Sequence, residues 1–280
     1  MAKRKYEWTE EKIAKYIKEG RGAGELYSYK PWLNIQDVPS LGRSHRIKGC
    51  KTNRLHHFLS DLERNYFYLL EWAIDVIDIR EQYPLNREQT FKIAEDKNIT
   101  HPIDPHSQIP IVMTTDFVIT RQIEGEMKYV ARTVKPSDML NDRRVIEKFE
   151  IERAYWQQKG VDWGIVTEQE IPKKFVDNIM WLSTSYRLDN EEEQCLSENL
   201  LQIIIKEDLK NTLQSILKQF DDNYNLEPGS SLHLFKYLVY SRQIAYDLHE
   251  KFSLRWNLSK LVVEHPIEGG TSSSYDTNVC

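Results

Sequence analysis

Two β-rich runs held together by one glycine-bearing turn constrain this chain more than any other feature. Met113-Thr114-Thr115-Asp116-Phe117-Val118-Ile119 and Val130-Ala131-Arg132-Thr133-Val134-Lys135 flank Glu124-Gly125-Glu126. Alternating β-branched residues on either side of a Gly turn predict two antiparallel strands. That pairing sets Asp116 and Lys135 side by side. Asp116 lies between apolar neighbours, where an inward charge is costly unless it is paired or bound to a metal. Lys135 reads either as its partner in a simple salt bridge or as a functional ammonium.

The surrounding pattern predicts helix, strand, strand, strand, helix, strand. Thr9 with Glu10 and Glu11 opens a short helix ending near Gly20, and Gly20, Gly22 and Gly24 read as a flexible connector. Ser60 opens a second helix with Leu62, Tyr66, Leu69, Leu70 and Ala73 on one face. Val76–Tyr83 alternates as a half-buried strand, and a proline-rich excursion with a helical piece near Thr90–Lys97 follows. Asp142–Lys159 reads as a helix stopped at Gly160, and Val161–Val166 as a short strand. Tyr155 and Trp156 read as packing residues of that helix.

After Thr167 the composition changes. Pro172–Ser183, Ser197–Phe220 and Ser231–Arg242 read as helices, with Asp189, Glu191, Glu192 and Glu193 as an acidic linker. Strand-like runs occur within Ser253–Val263, and the chain from Glu264 reads as a mobile tail. The domain expectation is therefore residues 1–167, 168–263 and a tail over 264–280.

Charge is distributed unevenly. Residues 1–167 carry 27 Lys and Arg against 25 Asp and Glu, a net of +2; residues 168–280 carry 11 against 18, a net of −7. The overall −5 is odd for an independent DNA-binding protein. One stretch stands apart: Gly42–Ser60 has no acidic residue but holds Arg43, His45, Arg46, Lys48, Lys51, Arg54, His56 and His57. Such a strip suits phosphate contact, whereas the acidic second half suits a protein partner. Adjacent His56 and His57 point apart in a strand, so DNA contact or packing is preferred to metal ligation. No apolar run is long enough to span a membrane, and no apolar stretch follows the basic N-terminus as in a secretory signal. Cys50, Cys195 and Cys280 are odd in number and widely spaced, which fits a reducing cytoplasm rather than a disulfide framework or a zinc site.

Glu63 supplies the third member of a possible site. Ser60-Asp61-Leu62-Glu63 is an S-x-x-E capping box, in which Glu63 would bond back to the start of its helix. A carboxylate in a first turn can also aim toward a metal. Two carboxylates beside a lysine are what metal-dependent phosphodiester hydrolysis requires, since the acids hold a hard cation and the ammonium orients water and offsets charge at phosphorus.

The element order together with Glu63, Asp116, Thr133 and Lys135 resembles the restriction-endonuclease-like, PD-(D/E)xK nuclease fold: a mixed α/β sheet flanked by helices. The strings Gly42–Arg46, His56–Glu63, Asp78–Gln82, Val134-Lys135-Pro136 and Tyr155–Lys159 are similar to the TnsA family, the endonuclease subunits of heteromeric transposases. That resemblance implies Glu63, Asp116 and Lys135 as catalytic residues. It implies Mg²⁺, with Mn²⁺ able to substitute, held by Asp116 and Glu63 with the main chain at Thr133 or Val134. Glu152 would support the site or a second metal. Thr133 stands where the nuclease signature has Asp, Glu or Gln, so one charged donor is missing. The resemblance further implies cleavage of the 5′ strands of double-stranded DNA at transposon ends, a TnsB-like transposase, a TnsC-like ATP-dependent regulator, a winged-helix-like C-terminal domain and a cytoplasmic, nucleoid-associated bacterial setting. A stand-alone restriction or repair nuclease and a catalytically inactive adaptor are the alternative expectations.

Overall fold

A computed structural model describes residues 7–38 and 42–263. The chain divides into two compact units, one up to Ile171 and the other from Pro172.

The first unit is built on a four-stranded sheet of order β3-β4-β5-β6. Its strands are β3 (Val76–Pro84), β4 (Thr114–Ile123), β5 (Glu126–Val134) and β6 (Asp162–Val166). The first three are antiparallel in sequence, and β6 adds parallel to β5 after a helical crossover, so the sheet is mixed. The β4–β5 hairpin turns where expected. Ile123 pairs with Glu126, and Glu124 and Gly125 between them both have positive φ, at 53° and 83°. A two-residue turn of that hand matches the right-handed strand twist and is why glycine stands there.

Helices cover both faces, as the period of two in the strands demands. On one side Phe117 of β4 meets Tyr66 and Phe58, and Phe67 of α2 (Asp61–Trp72) completes the aromatic cluster. On the other side Val118 and Ala131 pack with Ile151, Ala154, Tyr155 and Trp156 of α4 (Arg143–Gln158) and with Ile93 of α3 (Arg87–Asp96). Side-chain caps fix the helix starts: Thr9 for α1 (Glu10–Lys18), Ser60 for α2 and Asp142 for α4. Gly160, at φ 66°, follows α4 as expected.

Two readings of the sequence need correction here. The basic strip forms a separate hairpin, β1 (His45–Lys48) with β2 (Leu55–Phe58), absent from the expected element order. Hydrophobicity alone does not sort its faces: Leu55 is exposed, while His56 is buried on the same side as Phe58. The glycine-rich stretch read as a flexible connector is tied down. The Gly22 amide donates to Lys30 at 2.6 Å, and Arg21 donates to the Trp32 carbonyl and to Asp37. A Cβ at Gly22 would lie 2.1 Å from the Pro84 ring, at a φ of +77°.

The second unit contains α5 (Lys173–Leu182), α6 (Glu191–Lys206), α7 (Leu213–Asn223) and α8 (Ser230–Tyr240). A two-stranded antiparallel pair, β7 (Ile244–Ala245) and β8 (Val262–Val263), accompanies them. Leu182, Leu200, Phe220, Phe235 and Leu238 are fully or almost fully buried. The expected acidic linker is instead the first turn of α6. Asn190 caps that helix, and Glu191, Glu192 and Glu193 follow, where carboxylates complement the exposed N–H groups and helix dipole. Of the Ser253–Val263 run, only its last two residues form a strand. The tail expected from Glu264 lies outside the described residues. Among the described residues no helix is long and apolar enough to cross a membrane.

Candidate active site

Glu63 and Asp116, 53 positions apart in sequence, converge on one side-chain amide. Gln82 Nε2 donates to Glu63 Oε2 at 3.4 Å and to Asp116 Oδ1 at 3.3 Å. The two acids are thus separated by no more than the sum of those contacts. Glu63 comes from the first turn of α2. Its Oε1 accepts from the Ser60 hydroxyl at 2.8 Å, and its Oε2 accepts from the Leu59 amide at 3.0 Å. The capping-box and site readings of Glu63 therefore coexist, with the carboxylate bonding to Leu59 N–H rather than to the Ser60 amide. Asp116 lies just beyond the Phe117–Arg132 pair, where its Oδ2 takes the Val134 amide at 2.8 Å.

Glu63 is buried and Asp116 partly buried, and the electrostatics reflect that. Burial and then the charge of Asp116 push the Glu63 pKa well above the carboxylate range, while the Leu59, Ser60 and Gln82 hydrogen bonds oppose the shift. Burial likewise raises Asp116, opposed by the Val134 N–H, the charge of Lys135 and Gln82. Lys135 is half-buried, at the end of β5, with its backbone N–H on Val166. No ion pair joins it to Asp116 among the described residues, so the simple salt bridge is not formed; its ammonium acts on Asp116 through the field. Two acids that repel each other, one buried and one partly so, with oxygen donors converging and a lysine beside them, suit a hard divalent cation. Asp116 and Glu63 are the side chains that could hold one. The set is sparse, since the described residues contain no group of three or more His, Cys, Asp or Glu that could hold a metal.

Thr133 and Glu152 form a neighbouring network. The Thr133 hydroxyl donates to Glu152 Oε1, which also accepts from Thr115 Oγ1 at 2.6 Å and Trp163 Nε1 at 3.0 Å. Trp156 Nε1 in turn donates to Thr115 Oγ1 at 2.8 Å. Burial raises the Glu152 pKa to about 7, and the charge of Asp116 adds to that. The Thr133 side chain is therefore turned to Glu152, leaving main-chain groups as what Thr133 and Val134 can offer beside Asp116.

Comparison with known proteins bears on this arrangement. A family model described as "TnsA-like endonuclease N terminal" matches residues 74–168, and one described as "TnsA endonuclease C terminal" matches residues 170–248. The Escherichia coli protein named "Transposon Tn7 transposition protein TnsA" is 41% identical over 252 residues, covering 90% of this chain and 91% of its own length. The chain belongs to the TnsA endonuclease family. Gln82, Asp116, Thr133, Lys135 and Glu152 fall within the region matched by the TnsA N-terminal model, and Glu63 and the basic hairpin precede it.

In this TnsA-family chain the basic strip divides into two sets. Arg43, Arg46 and Lys48 are exposed, and His45 and Lys51 are half-buried. His45 Nε2 donates to Asp61 at 2.7 Å, tying the hairpin to the helix that carries Glu63. Arg54 and His56 were expected to contact DNA, and that expectation is corrected. Arg54 donates from both terminal nitrogens to Glu81, at 2.8 and 2.5 Å, and His56, with no exposed surface, donates from Nδ1 to the same carboxylate at 2.8 Å. Neither is free to meet a phosphate. His57 is half-buried; its amide also donates to Glu81, and burial lowers its imidazole pKa.

Gln82 and Thr115 are the residues that sequence reasoning missed. A glutamine in a strand reads as a solvent-facing polar residue, and only the pairing of Glu81 with Phe117 and Tyr83 with Thr115 sets Gln82 opposite Asp116. No local pattern carries that information.

Proposed function

We propose that this chain is the endonuclease subunit of a Tn7-type heteromeric transposase, cutting the 5′ strands of double-stranded DNA at transposon ends with Mg²⁺, or Mn²⁺ in its place. The observation that carries this reading is the convergence of Glu63 and Asp116 on the Gln82 amide, with Lys135 close enough to act on Asp116. Asp116 and Glu63 hold the cation, with the main-chain carbonyl at Thr133 or Val134 in support. Bound there, the ion supplies Lewis-acid stabilisation of charge at the phosphoryl group. The Val134 amide fixes the direction of Asp116, and the Leu59 and Ser60 donors fix Glu63. Lys135 orients the attacking water and offsets negative charge at phosphorus. Glu152 is kept from the pair by Thr115 and Thr133 and acts by positioning the end of β5.

Arg43, Arg46, Lys48 and Lys51, with His45 and His57 at the hairpin's edge, meet the DNA backbone. Because the chain is net acidic, a TnsB-like transposase and a TnsC-like ATP-dependent regulator bring DNA and subunit together. Residues 168–263 serve partner binding as a winged-helix-like domain. The four helices, the short β7–β8 pair and the acidic first turn of α6 support that reading. The proposed setting is the bacterial cytoplasm, where the DNA is.

The test is strand-specific nicking of transposon-end DNA, with and without the partner transposase. Wild type with its partner should cut the 5′ strands, whereas Lys135→Ala and Asp116→Ala should bind the same partners and cut nothing. Cleavage retained by Lys135→Ala would reject the site, and cutting that needs no partner would favour a stand-alone nuclease.

A further inference from the structure

Gln82 does more than separate two acids. It is 2% exposed, yet its backbone is in the left-handed region at a φ of 49°, uncommon for a residue that is neither Gly nor Asn. Trp32 N–H holds its carbonyl at 3.1 Å, so the main chain is anchored in that conformation. Such a conformation persists where its surroundings over-determine it and often marks a functional position. Its effect here is to send the side chain between Glu63 and Asp116. Meanwhile β5, two residues before Lys135, brings no side-chain oxygen to the pair, because the Thr133 hydroxyl is spent on Glu152.

The amide has two different ends, and the charge between the acids decides which end faces them. With no cation, two carboxylates demand N–H donors, and Nε2 bridges them. The Thr114 hydroxyl meanwhile donates to Gln82 Oε1 at 3.3 Å. With a cation between the acids, the carbonyl oxygen becomes the favoured end, since an amide oxygen is a hard neutral donor. Rotation about the terminal sp³–sp² torsion swaps the ends at small cost. Thr114 serves either state, because a hydroxyl can donate to Oε1 or accept from Nε2.

We propose that Gln82 is the third side-chain ligand of the divalent cation, its amide oxygen turning inward to meet an ion held by Glu63 and Asp116. This rests on the nuclease reading of the acid pair, and places on β3 the oxygen that Thr133 does not provide from β5.

Calorimetric titration of Mg²⁺ and of Mn²⁺ into the full chain tests it, using wild type, Gln82→Asn and Gln82→Glu. Asn tolerates the left-handed backbone but is one methylene too short, so its affinity should fall about 10-fold or more, the scale of losing a group that supports a metal. Glu keeps the length and adds charge, so it should bind more tightly than wild type. Damage to the fold would weaken both variants, so opposite directions separate ligation from damage. Equal affinity in wild type and Gln82→Asn, or weaker binding by Gln82→Glu, overturns the proposal while leaving the acid pair as the metal site. Absence of binding by wild type and Gln82→Glu alike overturns both the proposal and the reading beneath it.

Discussion

Glu81 and Gln82 are neighbours on β3, yet they serve two carboxylate centres of opposite character. Glu81 is fully buried and compensated. Burial pushes its pKa up, but His56 and Arg54 outweigh that through charge and hydrogen bonds, holding it far below the carboxylate range. Gln82 faces Glu63 and Asp116, which receive a shared amide, a few hydrogen-bond donors and the field of the Lys135 ammonium, and whose pKa values rise. The first centre is complete within the chain and fastens the basic hairpin to the sheet. The second is left in want of positive charge, as expected where a ligand is to supply it. Burial alone does not distinguish structural acids from working ones; the degree of compensation does.

The comparison can be broken most forcefully at Glu81. Glu81→Gln keeps the shape but leaves the Arg54 guanidinium buried without its counter-charge. A loss of about 3–5 kcal/mol in stability is expected, the scale for breaking a buried pair from one side. Denaturant unfolding reads it directly; a loss under about 1 kcal/mol would show that the cluster is not structural.

At the other centre the sign reverses. Raised pKa values mean that the folded state keeps protons the unfolded chain has already released. Stability of the metal-free protein should therefore fall as pH climbs from the ordinary carboxylate range, near 4, through neutrality. Glu63→Gln should flatten that fall and raise metal-free stability near pH 8 by about 1–2 kcal/mol. The depressed Glu81 works the other way: its contribution is present above the unfolded pKa and is lost as pH drops toward and below about 4. A wild-type stability that is flat between about pH 5 and about pH 8 would refute the contrast.

The smallest effects belong to the exposed cations. Arg46→Ala and Lys48→Ala should change stability by no more than about 0.5 kcal/mol. If each meets a phosphate, the salt dependence of DNA binding by the assembled complex should lose about one unit of slope per residue removed. An unchanged slope would remove the hairpin from the DNA interface.

The contrast also explains what the sequence could reveal. Local features were legible: the Ser60 cap that orients Glu63, the Glu124-Gly125 turn that sets β4 against β5, and the Asp142 cap with Gly160 at the two ends of α4. Each depends on residues within a few positions of one another. The misreadings at the two carboxylate centres involve partners far along the chain. Arg54 and His56 look like surface cations until Glu81, 27 and 25 positions away, is seen to claim them. Gln82 owes its role to an Asp 34 positions away on the next strand. Asp189 to Glu193 read as a linker because charge runs usually are solvated, but the Asn190 cap turns them into a helix start. The acid pair was found because its chemistry is unusual, and its setting was missed because amides and threonines are common.

Proton release on metal binding tests the central claim most directly. Mg²⁺ is titrated near pH 7 into wild type and Asp116→Asn in two buffers of different ionisation heat. Glu63 and Asp116 hold protons further up the pH scale than free acids do, so a cation they share must displace them. Wild type should bind with a buffer-dependent heat that reports released protons, and the Asn variant should show neither binding nor release. Binding without proton release, or equal binding by Asp116→Asn, would contradict the account.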